Sequence, residues 1–426
     1  MKHIGIIAEY NPFHNGHQYQ IQKAKELFPD KKIVVIMSGD FVQRGEPAIF
    51  NKYLRAKCAL SSGADIILEL PPLFSTASAE HFSSSAILAL AATGVVDTLC
   101  FGAEYDNLDT LYKIADFLVT EPEDYQILLK QHLKSGLSFP KARSLALCTC
   151  LQDDFCETIL KQPNNILGIE YLKAILKYHL PITPCIIKRQ GSGYHDLSLE
   201  NSLCSASSLR NKIKQHWDSA PSFAVKGATF QISLLSQIDN YIPASAGLAL
   251  TSSEYAKPLF LSDFYPFLQY AFWQNRNQLD TYFEMPKELA RQLSSCLQYP
   301  CDIEVLLNKL SCKNYTTSRI KRALTNILLN QKNSDIQKAK QENYITYLRL
   351  LGFTASSSPV LKEMKNTCTI PVINKVTDSK KILSGDACSR FEKDILISTL
   401  YKQAFFNKYG IGTPSEYEQS VIIEDL

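Results

Sequence analysis

Over roughly its first hundred residues the chain alternates short apolar runs with stretches whose apolar positions recur every three or four residues. Ile4 to Ala8, Ile33 to Met37, Asp65 to Leu70 and Thr98 to Gly102 are runs of the first kind. Mostly apolar and with little polar alternation, they predict strands buried on both faces. Gln18 to Phe28, Asn51 to Gly63 and Ala79 to Thr93 carry the helical spacing, and Pro29-Asp30 and Pro71-Pro72 punctuate the joins. Strand and helix in alternation predict an α/β fold with a doubly wound, Rossmann-like parallel sheet, which takes its ligands at the carboxyl ends of its strands.

After Glu104 the pattern turns mostly helical to about Gln131, and another helix is predicted over Asn165 to Tyr178. Pro184 to Lys188 reads as a strand that runs into Arg189-Gln190-Gly191-Ser192-Gly193. Ser205-Ala206-Ser207-Ser208-Leu209-Arg210 has the form of a capped helix start. Beyond Trp217 helical periodicity dominates to about Leu351. The chain is therefore expected to divide into an α/β domain over residues 1–215 and a mainly helical domain over residues 216–426.

Composition narrows the class. With 426 residues, 45% hydrophobic and 20% charged, the chain can bury a large interior and is neither fibrous nor disordered. Its longest apolar run, Ala86 to Val96, is too short to span a membrane, and no leader pattern precedes Ile4, so a cytoplasmic protein is expected. Twelve cysteines lie scattered without a CxxC pair, and Cys148 with Cys150 has no second pair to complete a zinc site. Reduced thiols and no protein-ligated metal are expected. The net charge is only +3, yet Val305 to Leu351 holds nine basic residues against two acidic ones. A local excess of that size suits contact with phosphates, although a solvated helix face would look the same.

The strongest local signal is Glu9-Tyr10-Asn11-Pro12-Phe13-His14-Asn15-Gly16-His17, between the first predicted strand and the first predicted helix. A helix N-terminus there offers open amides and the positive end of its dipole to an anion. His14 and His17, three apart, can face one ligand and donate to phosphate oxygens as charge builds on a departing pyrophosphate. Gly16 leaves room for close approach, and Asn11-Pro12 turns the chain off the strand. Two histidines near a turn can also merely cap a helix; the strand–turn–helix context favours the phosphate role.

Ile7-Ala8-Glu9-Tyr10-Asn11-Pro12-Phe13-His14-Asn15-Gly16-His17 resembles the opening of the bacterial tRNA(Met) cytidine acetate ligases, a branch of the HxGH nucleotidyltransferase superfamily. Ser38 to Ala48, Phe101-Gly102-Ala103-Glu104, Pro163 to Leu167 and Lys188 to Asp196 are similar to further stretches of that family in the same order. Ser205 to Arg210 only approximates the superfamily's second phosphate motif. The resemblance implies a nucleotidyltransferase-type sheet followed by a mainly helical C-terminal region. It also implies two chemical steps: acetate displaces pyrophosphate from ATP to give acetyl-adenylate, then N4 of the wobble cytidine of elongator tRNA(Met) takes the acetyl group and releases AMP. Carried over by position, ATP would meet Ile7, Ala8, Glu9, Tyr10, Asn11, Pro12, Phe13, His14, Asn15, Gly16, His17, Gln18, Tyr19 and Gln20, with Gly102, Asn165 and Arg189 as further contacts and His14 and His17 as the catalytic pair. ATP would arrive as its Mg²⁺ complex.

Gly102, at a strand end, spares room for a base or ribose; Asn165 suits either a base edge or a helix cap, and Arg189 a phosphate or solvent. Lys313, Arg319, Lys321 and Arg322, interleaved with Tyr315 and hydroxyl residues, are the candidate tRNA contacts. Two other readings stay open: an adenylyltransferase acting on a small phosphorylated acceptor without RNA, and a non-catalytic RNA-binding protein on a degenerate nucleotide fold.

Overall fold

The computed structural model describes residues 2–152, 155–189, 204–220, 228–297, 301–311 and 315–425. Ten strands occur among them: β1 His3–Ala8, β2 Ile33–Ser38, β3 Phe41–Val42, β4 Glu46–Pro47, β5 Ile66–Leu70, β6 Val96–Ala103, β7 Thr183–Lys188, β8 Leu348–Thr354, β9 Val372–Ile373 and β10 Ile422–Glu424. The main sheet runs β10–β8–β5–β2–β1–β6–β7, with β9 beside β8, while β3 and β4 form a separate hairpin. From β5 to β7 all pairings are parallel; β8 lies antiparallel to β5 and carries β9 and β10 parallel to itself. The chain steps outward from β1 through β2 to β5, then returns to lay β6 on the other side of β1. That reversal opens a crevice at the carboxyl ends of β1 and β6, the place such sheets offer to ligands.

Both faces of the sheet are dry at its centre, where every residue of β2 and β5 is buried. Val34 and Ile36 pack on one face with the helices Ala79–Ala92, Leu108–Thr120 and Pro163–Lys177. Val35 and Met37 pack on the other with Asn15–Leu27, Lys52–Leu60 and Ala206–Ser219. At about 25 cal/mol per Å² of apolar area, this double burial is the main force holding the crossover helices to the strands.

The C-terminal half is mainly helical. Tyr265–Asn275, Lys287–Cys296, Ile303–Leu310, Thr317–Leu328 and the long Gly385–Tyr409 enclose a third core, into which Phe41 of the hairpin inserts. It also contributes strands: β8, β9 and β10 come from beyond residue 216 and complete the sheet begun by the first half. Residues 345–351, read as the end of a helical region, therefore belong largely to β8. Its Arg349 is buried and hidden in an otherwise apolar run, and such a short run fits helix and strand equally well.

Candidate active site

β1 ends at Ala8, and the next six residues carry the chain into the helix Asn15–Leu27. Tyr10 takes a left-handed backbone, φ 49°, and the Asn11–Pro12 peptide is cis. The loop is held from several sides. Asn11 Oδ1 accepts from the Ile49 amide at 2.7 Å, and Glu9 Oε1 accepts from the Gln43 amide at 2.8 Å. Fully buried Arg55 donates to the carbonyls of Glu9, Ser38, Gly39 and Phe50, tying the ends of β1 and β2 together. Arg210 reaches the Asn11 carbonyl at 2.7 Å from the helix Ala206–Ser219.

His14 is the helix N-cap. Its Nδ1 accepts from the Gly16 amide at 3.0 Å, while the His14 amide donates to Nδ1 of His17 at 3.3 Å. With both Nδ1 atoms accepting, each neutral imidazole carries its proton on Nε2 and keeps that N–H for a ligand. The rings stack at 3.7 Å between centroids, and Tyr10 stands edge-on to His17 at 4.9 Å. Burial disfavours charge on both rings. It lowers His14 to about 3, aided by Arg189 and Arg210, and lowers His17 well below the ordinary histidine range, aided by His14 and Arg189. Two neutral donors therefore sit in a positive field. Gly16 keeps the His14 ring in place: a Cβ there would lie 2.9 Å from His14 Cε1.

One cleft gathers His14, Gly16, Tyr19, Gln20, Gly102 and Arg189, with Ser205 on its far wall. Ser205 caps the helix Ala206–Ser219, its Oγ accepting from the Ser208 amide at 3.1 Å, so two helix N-termini meet the same space. Gly102 lies below Arg189, whose Cγ would be 3.3 Å from a Cβ added there. Ile7, Ala8, Tyr10, Pro12 and Phe13 shape the loop behind the imidazoles, and Asn15 and Gln18 lie on the first helical turn beyond them. Asn15 Nδ2 donates to the Asn240 carbonyl at 3.1 Å, and Gln20 Nε2 to that of Cys100 at 3.3 Å.

Asn165 stands apart. Buried in the helix Pro163–Lys177, its Oδ1 accepts from the amides of Glu104 and Tyr105, each at 3.0 Å, and its Nδ2 donates to the Ile159 carbonyl at 3.2 Å. The side chain shapes the loop after β6 through these bonds. Arg210, by contrast, enters the sequence reading only as the last residue of the Ser205–Arg210 stretch, because its place beside the Asn11 carbonyl depends on a contact 199 residues away.

The candidate tRNA residues separate as well. Lys321 pairs with Glu46 of β4, and Arg322 with Glu284 at 2.8 Å. Both bind the helix Thr317–Leu328 to its neighbours. Arg319 lies over the Tyr315 ring at 5.2 Å. Lys313 and residues 190–203 lie outside the described residues. No helix among the described residues is long and apolar enough to cross a membrane.

Comparison with known proteins agrees with this geometry. The model of the HIGH Nucleotidyl Transferase family matches residues 1–412. The tRNA(Met) cytidine acetate ligase of Thermoanaerobacter sp. (strain X514) is 39% identical over 411 residues, covering 96% of this chain and 97% of that protein. The chain belongs to the tRNA(Met) cytidine acetate ligase family. Among solved structures, the apo crystal structure of Thermotoga maritima TmcAL superposes with a TM-score of 0.90 at 28% identity, covering 100% of both chains. The same protein bound with alpha-thio ATP gives a TM-score of 0.88 at 27% identity, again over 100% of both chains. Membership accounts for the pairing of an HxGH loop with a large C-terminal region, since the shared length includes both.

Proposed function

We propose that the chain is an ATP-dependent, AMP-forming ligase that acetylates N4 of the wobble cytidine of elongator tRNA(Met). The observation that carries this reading is the stacked His14–His17 pair, whose Nδ1 atoms are bonded to backbone and whose Nε2–H groups are left for a phosphate. ATP lies with its phosphates against these donors and the N-termini of the helices Asn15–Leu27 and Ala206–Ser219, its charge balanced by Arg189 and Arg210. Magnesium comes with ATP, held by phosphate oxygens and water.

An acetate oxygen attacks the α-phosphorus, the bond to the β-phosphate oxygen breaks, and pyrophosphate leaves. Neutral imidazole donors suit this step, because they stabilise the growing negative charge without first having to give up ion pairs. The cytidine amine then attacks the acetyl carbonyl, AMP departs, and the amine loses its proton. Of the candidate RNA contacts, Arg319 beside Tyr315 combines a cation with an aromatic face, which supports a place in the tRNA surface.

Exchange of labelled pyrophosphate into ATP tests the first step. Exchange that requires acetate is the expected result. Exchange that ignores acetate and requires a phosphorylated acceptor would replace this reading with the RNA-free adenylyltransferase.

A further inference from the structure

Away from the nucleotide cleft, a second cavity of about 200 Å³ lies between the helix Gly385–Tyr409, the segment leading into β8 and the turn that follows β5. It shares none of its lining residues with the cleft around His14. Drug-sized ligands need roughly 300–1,000 Å³, so this space suits something smaller, of the size of a single flat ring system. Leu73, Phe74 and Tyr347 give it apolar walls.

Its polar groups are specific. Arg390 and Asp394 lie four apart on one helix and both face in. Arg390 is ion-paired to Glu342 through Nη2 at 2.6 Å, and its Nη1 is buried without a hydrogen-bond partner. Thr346 Oγ1, on the opposite wall, is likewise buried and unpartnered. Tyr347 donates its hydroxyl to Oδ2 of Asp394, and both residues line the cavity. Burial raises the Asp394 carboxyl to about 7, so near neutral pH it can both donate and accept. Leaving buried donors unmet costs stability, and a ligand that met them would remove that cost.

We propose that this cavity receives one unstacked base of the tRNA, a cytosine or guanine, which presents an amino donor to Asp394 beside a carbonyl acceptor for Arg390. A carboxylate and an arginine side by side match that donor–acceptor edge, and unstacked bases are what proteins read in RNA. Lys338 and Lys393 at the cavity are paired with Asp386 and Asp335, so what favours a nucleobase here is the donor–acceptor edge of Asp394 and Arg390 and not a local excess of charge. The proposal rests on tRNA being the acetyl acceptor and adds a site that helps choose it.

Steady-state acetylation of the tRNA by Asp394→Asn, Arg390→Ala and Ser389→Phe tests it. Ser389 is an exposed lining residue, so the phenylalanine fills the cavity without disturbing the buried pair. Each variant is expected to raise KM for tRNA about tenfold with kcat nearly unchanged, as loss of one base contact does, while acetate-dependent pyrophosphate exchange stays at the wild-type rate. A KM for tRNA within about twofold of wild type in all three would overturn the proposal, given what one base contact contributes. A parallel fall in exchange and acetylation would overturn it too, by showing a structural role. Titration with free cytidine and guanosine settles the source: binding of a free nucleoside that Asp394→Asn abolishes, with KM for tRNA unmoved, assigns the cavity to a small molecule. Absence of acetate-dependent exchange in the wild-type protein would instead sink the functional reading and leave the cavity chemistry standing.

Discussion

His14 and His17 commit Nδ1 to backbone amides and so fix which ring nitrogen meets a ligand. Replacing either by alanine is expected to slow acetate-dependent pyrophosphate exchange by about 10²-fold or more, the usual effect of removing one transition-state donor. Gly16→Ala should also slow exchange while leaving the fold intact, because its Cβ would displace the His14 ring and not the sheet. The protonation state gives a separate test. Because His14 is lowered to about 3 by burial and by Arg189 and Arg210, exchange should show no ionisation near 6.5 when its rate is followed against pH. Stability carries the complementary sign. Below pH 6.5 the unfolded chain binds a proton at His14 that the folded chain refuses, so stability is complete above that pH and falls with acidification. The slope from this one residue is about 1.4 kcal/mol per pH unit, measurable as the difference between wild type and His14→Gln in urea unfolding across that range. His14, Gly16 and His17 were legible in the sequence because their chemistry is local: strand, turn and helix start supply the geometry. Asn165 could not be assigned from the sequence, since a base contact and a structural bond need the same amide; its side-chain oxygen accepts from the amides of Glu104 and Tyr105.

The first strands were readable because strands buried on both faces are written mostly in apolar residues, with Glu69 in β5 the buried exception. Ile33 to Met37 and Asp65 to Leu70 fall within a residue of β2 and β5. β8 was not readable: it contains Arg349, whose burial is tolerable only because Glu69 and Glu416, distant in sequence, meet it. The helix Thr317–Leu328 shows the same limit for charge. Its basic residues look alike in sequence, but the helix backbone lies against Gly45, where φ is +73° and a Cβ would come within 2.2 Å of the Arg322 amide nitrogen. Thr325 donates to the Gly45 carbonyl at 2.8 Å, and Lys321 pairs with Glu46 on the next residue of the hairpin. Gly45→Ala should therefore cost more than about 3 kcal/mol, combining a left-handed backbone with a steric overlap that cannot relax. Lys321→Ala should lower the thermal midpoint, with a loss of about 1 kcal/mol for a partly buried pair. Arg319→Ala is expected to do the reverse: leave the midpoint alone, weaken tRNA binding and reduce the dependence of log K on log salt by about one unit. Equal effects of the two variants on the salt slope would show that the ion pair with Glu46 opens when RNA binds.

The helix Lys52–Leu60, the sheet and the C-terminal tail are joined by one buried set of charges. Lys52, fully buried, donates to Glu69 at 2.9 Å, to Ser398 at 2.8 Å and lies 3.1 Å from Glu416. Arg349 of β8 meets Glu69 and Glu416, and Lys402 meets the other Glu416 oxygen at 2.5 Å. Glu416 thus stands among three cations contributed by the helix after the hairpin, by β8 and by the long C-terminal helix. It is the last residue before β10 to do so, which makes the tail a structural part of the sheet edge. Burial alone would raise its carboxyl, but Lys52, Arg349 and Lys402 outweigh that and hold it well below the usual carboxylate range. A carboxyl depressed on folding stabilises the protein above its unfolded pKa of 4.5 and loses that contribution as pH falls. Glu416→Gln keeps the shape and removes the charge, so Lys52 and Arg349 are left to share Glu69. At neutral pH the variant should unfold with a loss of about 3–5 kcal/mol, the cost of breaking a buried ion pair from one side. Because below pH 4.5 the unfolded chain takes up a proton at Glu416 that the folded chain refuses, the gap between the two proteins in urea unfolding should narrow steadily below that pH. A gap that stayed constant with pH would mean that Glu416 acts through packing and hydrogen bonds, and that charge is not what fastens the tail to the sheet.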